Sequence, residues 1–510
     1  MFIPPRSISP SQKGKRKQDR VNRLTTKSSD GNRRAALVMG ALLLSVGVLA
    51  AVPNARSGAQ TATAGTAQTP IHHVVIIDQE NRSFDHVLGK LCAEVASGRI
   101  VRPGNNSHCD GATKGVLANG SKVSLTSAPD ANPEVDHTVA GQQVVIDGGK
   151  MDGFSKISGC TSTDPKPYGC LDQYDPLAGP CQTATGSCIP NISQLAEDFT
   201  ISDRTFEFRA TPTWAGHMVL ASASLDGFIG HNPRATALSP SGSHPGWGCD
   251  SGLDSQWWNG TKAVFEPACI PDKSGAGPYR ASPVQYVPTI FDRLDGAGLG
   301  WRIYGATGST TSGGQYGHSI CPTFYECLST QRSHLVTSTS FTTDATTGHL
   351  PAVSWLMPPA GSGQHPPHSM VQGDAWLGQM IDSIEHGPEW GSTAIFLTWD
   401  DCGCFYDHVN PLSYGPNLGV RVPMIIISPY ARQGYTDSTP ATFVSLLAFI
   451  EHDFGLAPLN QADGNAYDFS NAFNYSQTPL SAVSLSKHAT ISAAEKRFIA
   501  NHPEAKNDPT

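Results

Sequence analysis

Charged residues are scarce in this chain: Asp, Glu, Lys and Arg make up 15% of its 510 positions. Coiled coils and long helical scaffolds need far more, so that class is set aside. No period of about 20 to 50 residues recurs, which excludes solenoids and propellers. The twelve cysteines include no Cys-x₂-Cys pair, the spacing that structural zinc sites use. Past residue 59 there is no basic cluster, and 24 Lys and Arg stand against 41 Asp and Glu. Such a body repels nucleic acid, so no nucleic-acid partner is expected. What the chain has in quantity is turn-formers, 51 Gly and 38 Pro. They imply a loop-rich fold, long enough for one large or two ordinary domains.

The first 34 residues reverse the charge balance. They hold ten Lys and Arg against Asp19 and Asp30, and lead into Ala35 to Val52, an uncharged apolar run. A basic segment, a hydrophobic centre and then small residues such as Ser57-Gly58-Ala59 have the order of a cleavable export signal. Arg33-Arg34 at its entrance is similar to a twin-arginine signal. The rival is an uncleaved transmembrane anchor, because the 18-residue run just reaches spanning length. In either case the basic end stays inside and the rest crosses the cytoplasmic membrane, secreted or held at the cell envelope. The expected organisation is an export segment at 1–59, a flexible linker at 60–69, a main domain at 70–485 with a Gly/Ser/Pro-rich insertion at 235–283, and a polar end at 486–510.

All twelve cysteines lie in the exported part, where an oxidising compartment favours disulfides. Close spacing suggests Cys160 with Cys170, Cys181 with Cys188, Cys249 with Cys269, Cys321 with Cys327, and Cys92 with Cys109. Cys402 and Cys404 are the awkward pair, since a bridge across one residue is strained.

The stretch with the most chemistry is T-A-I-F-L-T-W-D-D-C-G-C-F-Y-D-H-V, Thr393 to Val409. Thr393 to Trp399 has the length and β-branched, apolar character of a strand buried on both faces. Asp400 and Asp401 then stand side by side at its mouth. Two anions there are costly unless a cation or a proton compensates them, and a divalent metal is the simplest compensation. The alternative is a solvated turn. Ile71 to Ile77 is a second buried strand, and it runs into Glu80-Asn81, another oxygen-bearing pair just past a strand end. Further strands are expected at Phe199 to Phe206, Trp301 to Tyr304, Leu350 to Met357 and Val422 to Ser428. Helices are expected after Arg209, at Val287 to Leu294, at Gly373 to Glu385 and at Thr442 to Phe454. Thr213 falls near a helix N-terminus, where the dipole favours an anion; its alternative role is a helix cap. Strand, loop chemistry, helix, strand is the rhythm of an α/β fold, doubly wound around a mostly parallel central sheet with helices on both faces.

Three blocks, V-V-I-I-D-Q-E-N-R-S-F-D-H, H-P-P-H-S followed by G-D-A-W-L, and T-W-D-D-C-G-C-F-Y-D-H-V, together resemble the bacterial phosphoesterase family that includes non-specific phospholipases C and a group of acid phosphatases. The resemblance covers roughly Ile71 to Phe473 and implies an alkaline-phosphatase-like fold. It makes Glu80, Asn81, Asp400 and Asp401 ligands of one divalent metal ion, with Asn81 also close to phosphate. It makes Thr213 the nucleophile and assigns His137 and His365 to phosphate contact or to the leaving group's proton, with His318 a further phosphate contact. Asp407 and His408 are expected to position the Asp400-Asp401 loop. Family members read Thr-x-Pro-Asn-Arg after the nucleophile, whereas Thr213 to His217 reads T-W-A-G-H. The implied activity is hydrolysis of a phosphodiester through a phospho-threonine, most simply on a phospholipid at a membrane surface, with Trp214, Trp247, Trp257 and Trp258 candidates for an apolar rim. The alternatives are a phosphatase acting on monoesters and an exported binding protein on the same fold.

Overall fold

The computed structural model describes residues 67–163, 167–177, 189–230, 248–306, 320–359 and 361–502. The export segment, Cys181, Cys188, Trp247 and His318 lie outside the described residues. Among the described residues no helix is long and apolar enough to cross a membrane.

Eight strands form the central sheet: β1 (His73–Gln79), β2 (Thr200–Ser202), β3 (Trp301–Ala306), β4 (Leu335–Thr337), β5 (Val353–Leu356), β6 (Thr393–Trp399), β7 (Met424–Ile427) and β8 (Thr436–Asp437). Their spatial order is β4-β3-β5-β1-β6-β7-β2-β8. Every pairing is parallel except the two made by β7, which alone runs against the rest. Val422 to Ser428 therefore holds a central strand, as its apolar run suggests, but a reversed one. Its direction was not legible because a fully buried run looks the same either way.

Successive side chains of a strand face opposite sides, and in β1 both sides are apolar. Val74 and Ile76 join one core, Val75 and Ile77 the other. The first core is closed by α2 (Thr213–Ser222), α3 (Ile290–Gly296) and α6 (Val444–Phe454); the second by α1 (Pro190–Asp198), α4 (Ser338–Thr347) and α5 (Met370–Glu385). This is the doubly wound arrangement. Each fully buried aliphatic side chain contributes about 1.5–3 kcal/mol, so β6, buried at all seven positions, is the hydrophobic centre of the sheet. α5 begins at Met370, three residues before the expected Gly373, because Ser369 caps it, accepting from the Gln372 N–H at 3.0 Å. Part of the expected insertion is ordered as an antiparallel hairpin, Asp254–Trp258 with Ala263–Pro267, beside the Cys249–Cys269 disulfide.

Disulfides also join Cys92 to Cys109, Cys160 to Cys170 and Cys321 to Cys327. Cys402 and Cys404 are buried free thiols with their sulfurs 3.4 Å apart. Burial raises the pKa of both, most strongly at Cys402, where the neighbouring thiol and Glu207 add to it.

The loops after β1 and β6 are tied together by a buried ion cluster. Arg421 Nη2 lies 3.2 Å from Asp85 Oδ1 and 3.1 Å from Asp407 Oδ2, and its guanidinium sits 4.1 Å over the Phe84 ring. His408 Nδ1 reaches Asp85 Oδ2 at 2.6 Å and its Nε2 reaches Asp110 Oδ1 at 3.1 Å. Burial works against a charge on His408, but Asp85 and Asp110 outweigh it and push its pKa up to about 10. Asp85, Asp407 and His408 approach closely enough to suggest a metal site, yet the Arg421 guanidinium already supplies their counter-charge. The S-F-D-H, Y-D-H-V and V-R-V-P segments are thus three sides of one clamp.

Removing Arg421's charge strands two buried carboxylates, so Arg421→Met should cost about 3–5 kcal/mol in equilibrium unfolding by guanidinium; a loss near zero would show the clamp dispensable. Alkylation with peptide mass mapping should label Cys402 and Cys404 only after denaturation, because a buried, protonated thiol is a poor nucleophile.

Candidate active site

Glu80-Asn81 and Asp400-Asp401 meet because β1 and β6 end level. Their parallel pairing runs from His73 opposite Thr393 to Gln79 opposite Trp399, and the Asp400 N–H donates to the Gln79 carbonyl at 3.0 Å. Just beyond, the Asn81 N–H donates to Asp400 Oδ1 at 2.8 Å. Asn81 adopts a left-handed φ of 57° to make this turn, a conformation Asn tolerates better than most residues. Gly403 presses on the same turn. Its φ is 50°, and a Cβ there would stand 2.2 Å from the Asn81 carbonyl, so no side chain fits.

α2 delivers the hydroxyl. Its N-cap is Pro212 and no side chain caps it, so Thr213 is the first helical residue and not the cap. The Thr213 hydroxyl instead points at the acids, with Asp401 Oδ2 at 3.1 Å and Asn81 Oδ1 at 3.2 Å. One proton faces two acceptors, and the carboxylate is the stronger. Thr213 is buried, 1% exposed, and it sits where the first-turn N–H groups and the helix dipole favour an anion.

Two histidines complete this corner. His137 Nδ1 lies 2.8 Å from the Val135 carbonyl and so carries the proton; its Nε2 then accepts from Asn81 Nδ2 at 3.1 Å. That bond fixes which end of the Asn81 amide faces Thr213. His365 comes from the loop after β5, which leaves the sheet at the same end as the other two loops, and its ring lies 6.2 Å from that of His137. Its Nδ1 donates to the Pro366 carbonyl, leaving Nε2 as the nitrogen that can exchange a proton.

The structure adds three groups that the motifs did not place here. Asp78, one residue before the end of β1, is buried, and its Oδ2 lies 3.2 Å from His217 Nδ1. His217 is one turn along α2 from Thr213, so the two share a helix face. Glu207 accepts from the Cys402 N–H at 3.0 Å. The available signals were an acid inside the apolar run V-V-I-I-D and the i, i+4 spacing of Thr213 and His217; nothing in sequence linked them. Trp214, expected at an apolar rim, turns inward instead. It is buried against Phe228, and its indole N–H donates to Thr323 Oγ1 at 2.8 Å. Trp258 is exposed, on the hairpin.

Burial raises the pKa of four carboxylates, Asp78, Asp400, Asp401 and Glu207; neighbouring acids add to it, Glu80 and Asp401 at Asp78, Asp401 and Glu80 at Asp400 and Asp401 at Glu207, while at Asp401 His137 and hydrogen bonds from Gly403 and Thr213 oppose the rise. Among the described residues no Lys or Arg pairs with Asp78, Asp400 or Asp401, and no hydrogen-bond donor meets Asp400 Oδ2 although it is buried. Glu80, Asp400 and His217 each present a ligand atom, all within 4.8 Å of one another. An anionic, solvent-shielded pocket with an unused carboxylate oxygen is what a divalent cation fits. The expected ligand set is thus brought together in two halves: Glu80 and Asp400 face His217, while Asn81 and Asp401 flank the Thr213 hydroxyl.

The pKa shifts set a pH dependence. A carboxyl whose folded pKa lies above its unfolded value stabilises the fold when protonated, and that stability is lost as pH rises through the folded pKa. Protein stripped of divalent cations should therefore melt at progressively lower temperature as pH rises above about 4, and an added divalent cation should restore more stability at neutral pH than at acid pH. Calorimetric scans with chelator and with metal check this; a flat profile with chelator would contradict it.

Comparison with known proteins identifies the family. The profile of the phosphoesterase family matches residues 71–457. Phospholipase C A of Mycobacterium tuberculosis is 25% identical over 478 residues, spanning 84% of this chain and 82% of that protein. Non-specific phospholipase C1 of Arabidopsis thaliana is 27% identical, covering 72% of this chain and 62% of that one, and non-hemolytic phospholipase C of Pseudomonas aeruginosa is 26% identical, covering 79% and 57%. This chain spans about three fifths of the latter two. Among solved structures, a protein in the alkaline phosphatase superfamily from Vibrio parahaemolyticus aligns at a TM-score of 0.30 and 13% identity, over 54% of this chain and 63% of that one. With its profile matched across most of the sequence, the chain belongs to the phosphoesterase family and is a phosphoric ester hydrolase.

Proposed function

We propose that the protein is an exported, metal-dependent phosphodiesterase of the phospholipase C type, working through a phospho-threonine on Thr213. The observation that carries this reading is the Thr213 hydroxyl at the start of α2, held 3.1 Å from Asp401 Oδ2 and 3.2 Å from Asn81 Oδ1. The names of the relatives favour a diester with a lipid leaving group over a monoester. Four disulfides among the described residues support an oxidising destination.

Glu80 and Asp400, with Asn81 and Asp401 beside them, would hold the metal. When bound there, a divalent cation lowers the pKa of a nearby hydroxyl and offsets negative charge on phosphate oxygens. The chain's own residues do the rest. Asp401 accepts the Thr213 proton as Oγ1 attacks phosphorus, and the first-turn N–H groups of α2 meet the charge that develops on the phosphoryl oxygens. His137 is occupied in orienting the Asn81 amide. Protonation of the departing alkoxide therefore falls to His365, whose Nε2 then takes a proton back from the water that hydrolyses the phospho-threonine.

Thr213→Ala should lower turnover by more than about 1,000-fold while metal content by elemental analysis stays at wild-type level. Acid quench of the wild type during turnover of phosphatidylcholine should leave the phosphocholine group esterified to the Thr213 peptide. The role of His365 is separable by leaving group. A lipid alkoxide needs a proton and p-nitrophenolate does not, so His365→Ala should lose about 100-fold or more on phosphatidylcholine and little on p-nitrophenylphosphorylcholine. Equal losses on the two would remove His365 from this role. Release of p-nitrophenol from the monoester p-nitrophenyl phosphate alone would replace the phospholipase reading with a phosphatase.

A further inference from the structure

The metal reading of the site rests on oxygen ligands, but the structure puts a nitrogen at the same point. One ligand atom each of His217, Glu80 and Asp400 lie within 4.8 Å of one another. It also meets a carboxylate: Nδ1 faces Asp78 Oδ2 at 3.2 Å, and both side chains are buried, at 2% and 0% exposure. A carboxylate against one nitrogen of a histidine that stands among further acids is the arrangement that orients metal-binding histidines, fixing the tautomer and raising the basicity of the other nitrogen.

α2 can carry His217 this deep because the residue before it is glycine. A Cβ on Gly216 would stand 3.0 Å from the Asp400 carbonyl oxygen, a backbone atom that cannot swing aside. The departure T-W-A-G-H therefore has a structural meaning: Gly216 lets the helix close on the Asp400 loop, and His217 then enters the acid cluster on the same helix face as Thr213. Asp78 has no other evident task. It is a buried acid in an apolar strand, and the group it faces is His217.

We propose that His217 is a direct nitrogen ligand of the active-site cation, oriented by Asp78, so that the centre is a mixed nitrogen and oxygen site selecting a borderline transition ion such as Zn²⁺ or Mn²⁺ over Mg²⁺ or Ca²⁺. Hard alkaline-earth ions prefer oxygen alone, whereas imidazole favours the transition series. The inference rests on the metal reading but is separable from it.

The experiment uses the purified full-length protein, stripped with chelator and reloaded with one equivalent of Mn²⁺. Pulsed electron paramagnetic resonance should show nitrogen coupling that changes when histidine alone is ¹⁵N-labelled. The coupling should vanish in His217→Asn and persist in His137→Asn. In competition titrations His217→Asn should lose about 100-fold in Zn²⁺ affinity while Mg²⁺ affinity changes less than about threefold. Asp78→Asn, which keeps the ligand, should weaken Zn²⁺ binding by about 10- to 100-fold with the coupling retained. Stoichiometric Mn²⁺ that Asp400→Asn abolishes, but without histidine coupling or with coupling that survives His217→Asn, would overturn the nitrogen ligand and leave the metal reading standing. Failure of the wild type to bind any of these ions would overturn the metal reading itself.

Discussion

Uncompensated negative charge at the common end of two buried strands is the constraint around which the structure is arranged. β1 and β6 are buried throughout their central positions, pair in parallel register and finish level. The residues just past their ends are therefore delivered to one place, and those residues are acidic: Glu80 after one strand, Asp400 and Asp401 after the other. Asp78 adds a further carboxylate from within β1. Burial raises the pKa of Asp78, Asp400 and Asp401, and neighbouring carboxylates add to the rise. Such a cluster does not stabilise a fold. It persists where the surrounding core over-determines it, here two apolar clusters packed on both faces of an eight-stranded sheet.

The chain keeps its two acidic groupings apart by giving each a different counter-charge. Asp85 and Asp407 lie only a few residues from the site, yet Arg421 and His408 neutralise them. That second cluster fastens the loop after β1 to the loop after β6 and so holds the register of the first. No Lys or Arg among the described residues enters the first. The contrast is one of counter-charge: fixed cations make a clamp of the second cluster, whereas the acids of the first have no fixed cation among the described residues, which is the setting the proposed metal requires.

Much of this was legible before any coordinates. The apolar runs of β1 and β6, the acids at their ends, the amphipathic stripe of α5 and four of the disulfides could be read from spacing and composition. Thr213 could be placed near a helix start, but its choice between capping and chemistry could not be made from sequence. Pro212 removes the capping role by taking the N-cap position, and the hydroxyl faces Asp401 and Asn81 instead. Trp214 misled because an indole in a loop-like stretch reads as surface, and only packing against Phe228 and Thr323 turns it inward.

The sequence by itself determined the fold class and the family, and named candidate side chains for the chemistry, because hydrophobic periodicity and short motifs are local properties of the chain. Only the tertiary structure decided the partnerships. Asp78 and His217 are far apart in the chain and come to 3.2 Å because a helix with glycine at its contact point packs against one particular strand end. No local pattern encodes that approach; it is set by how the sheet and the helix pack.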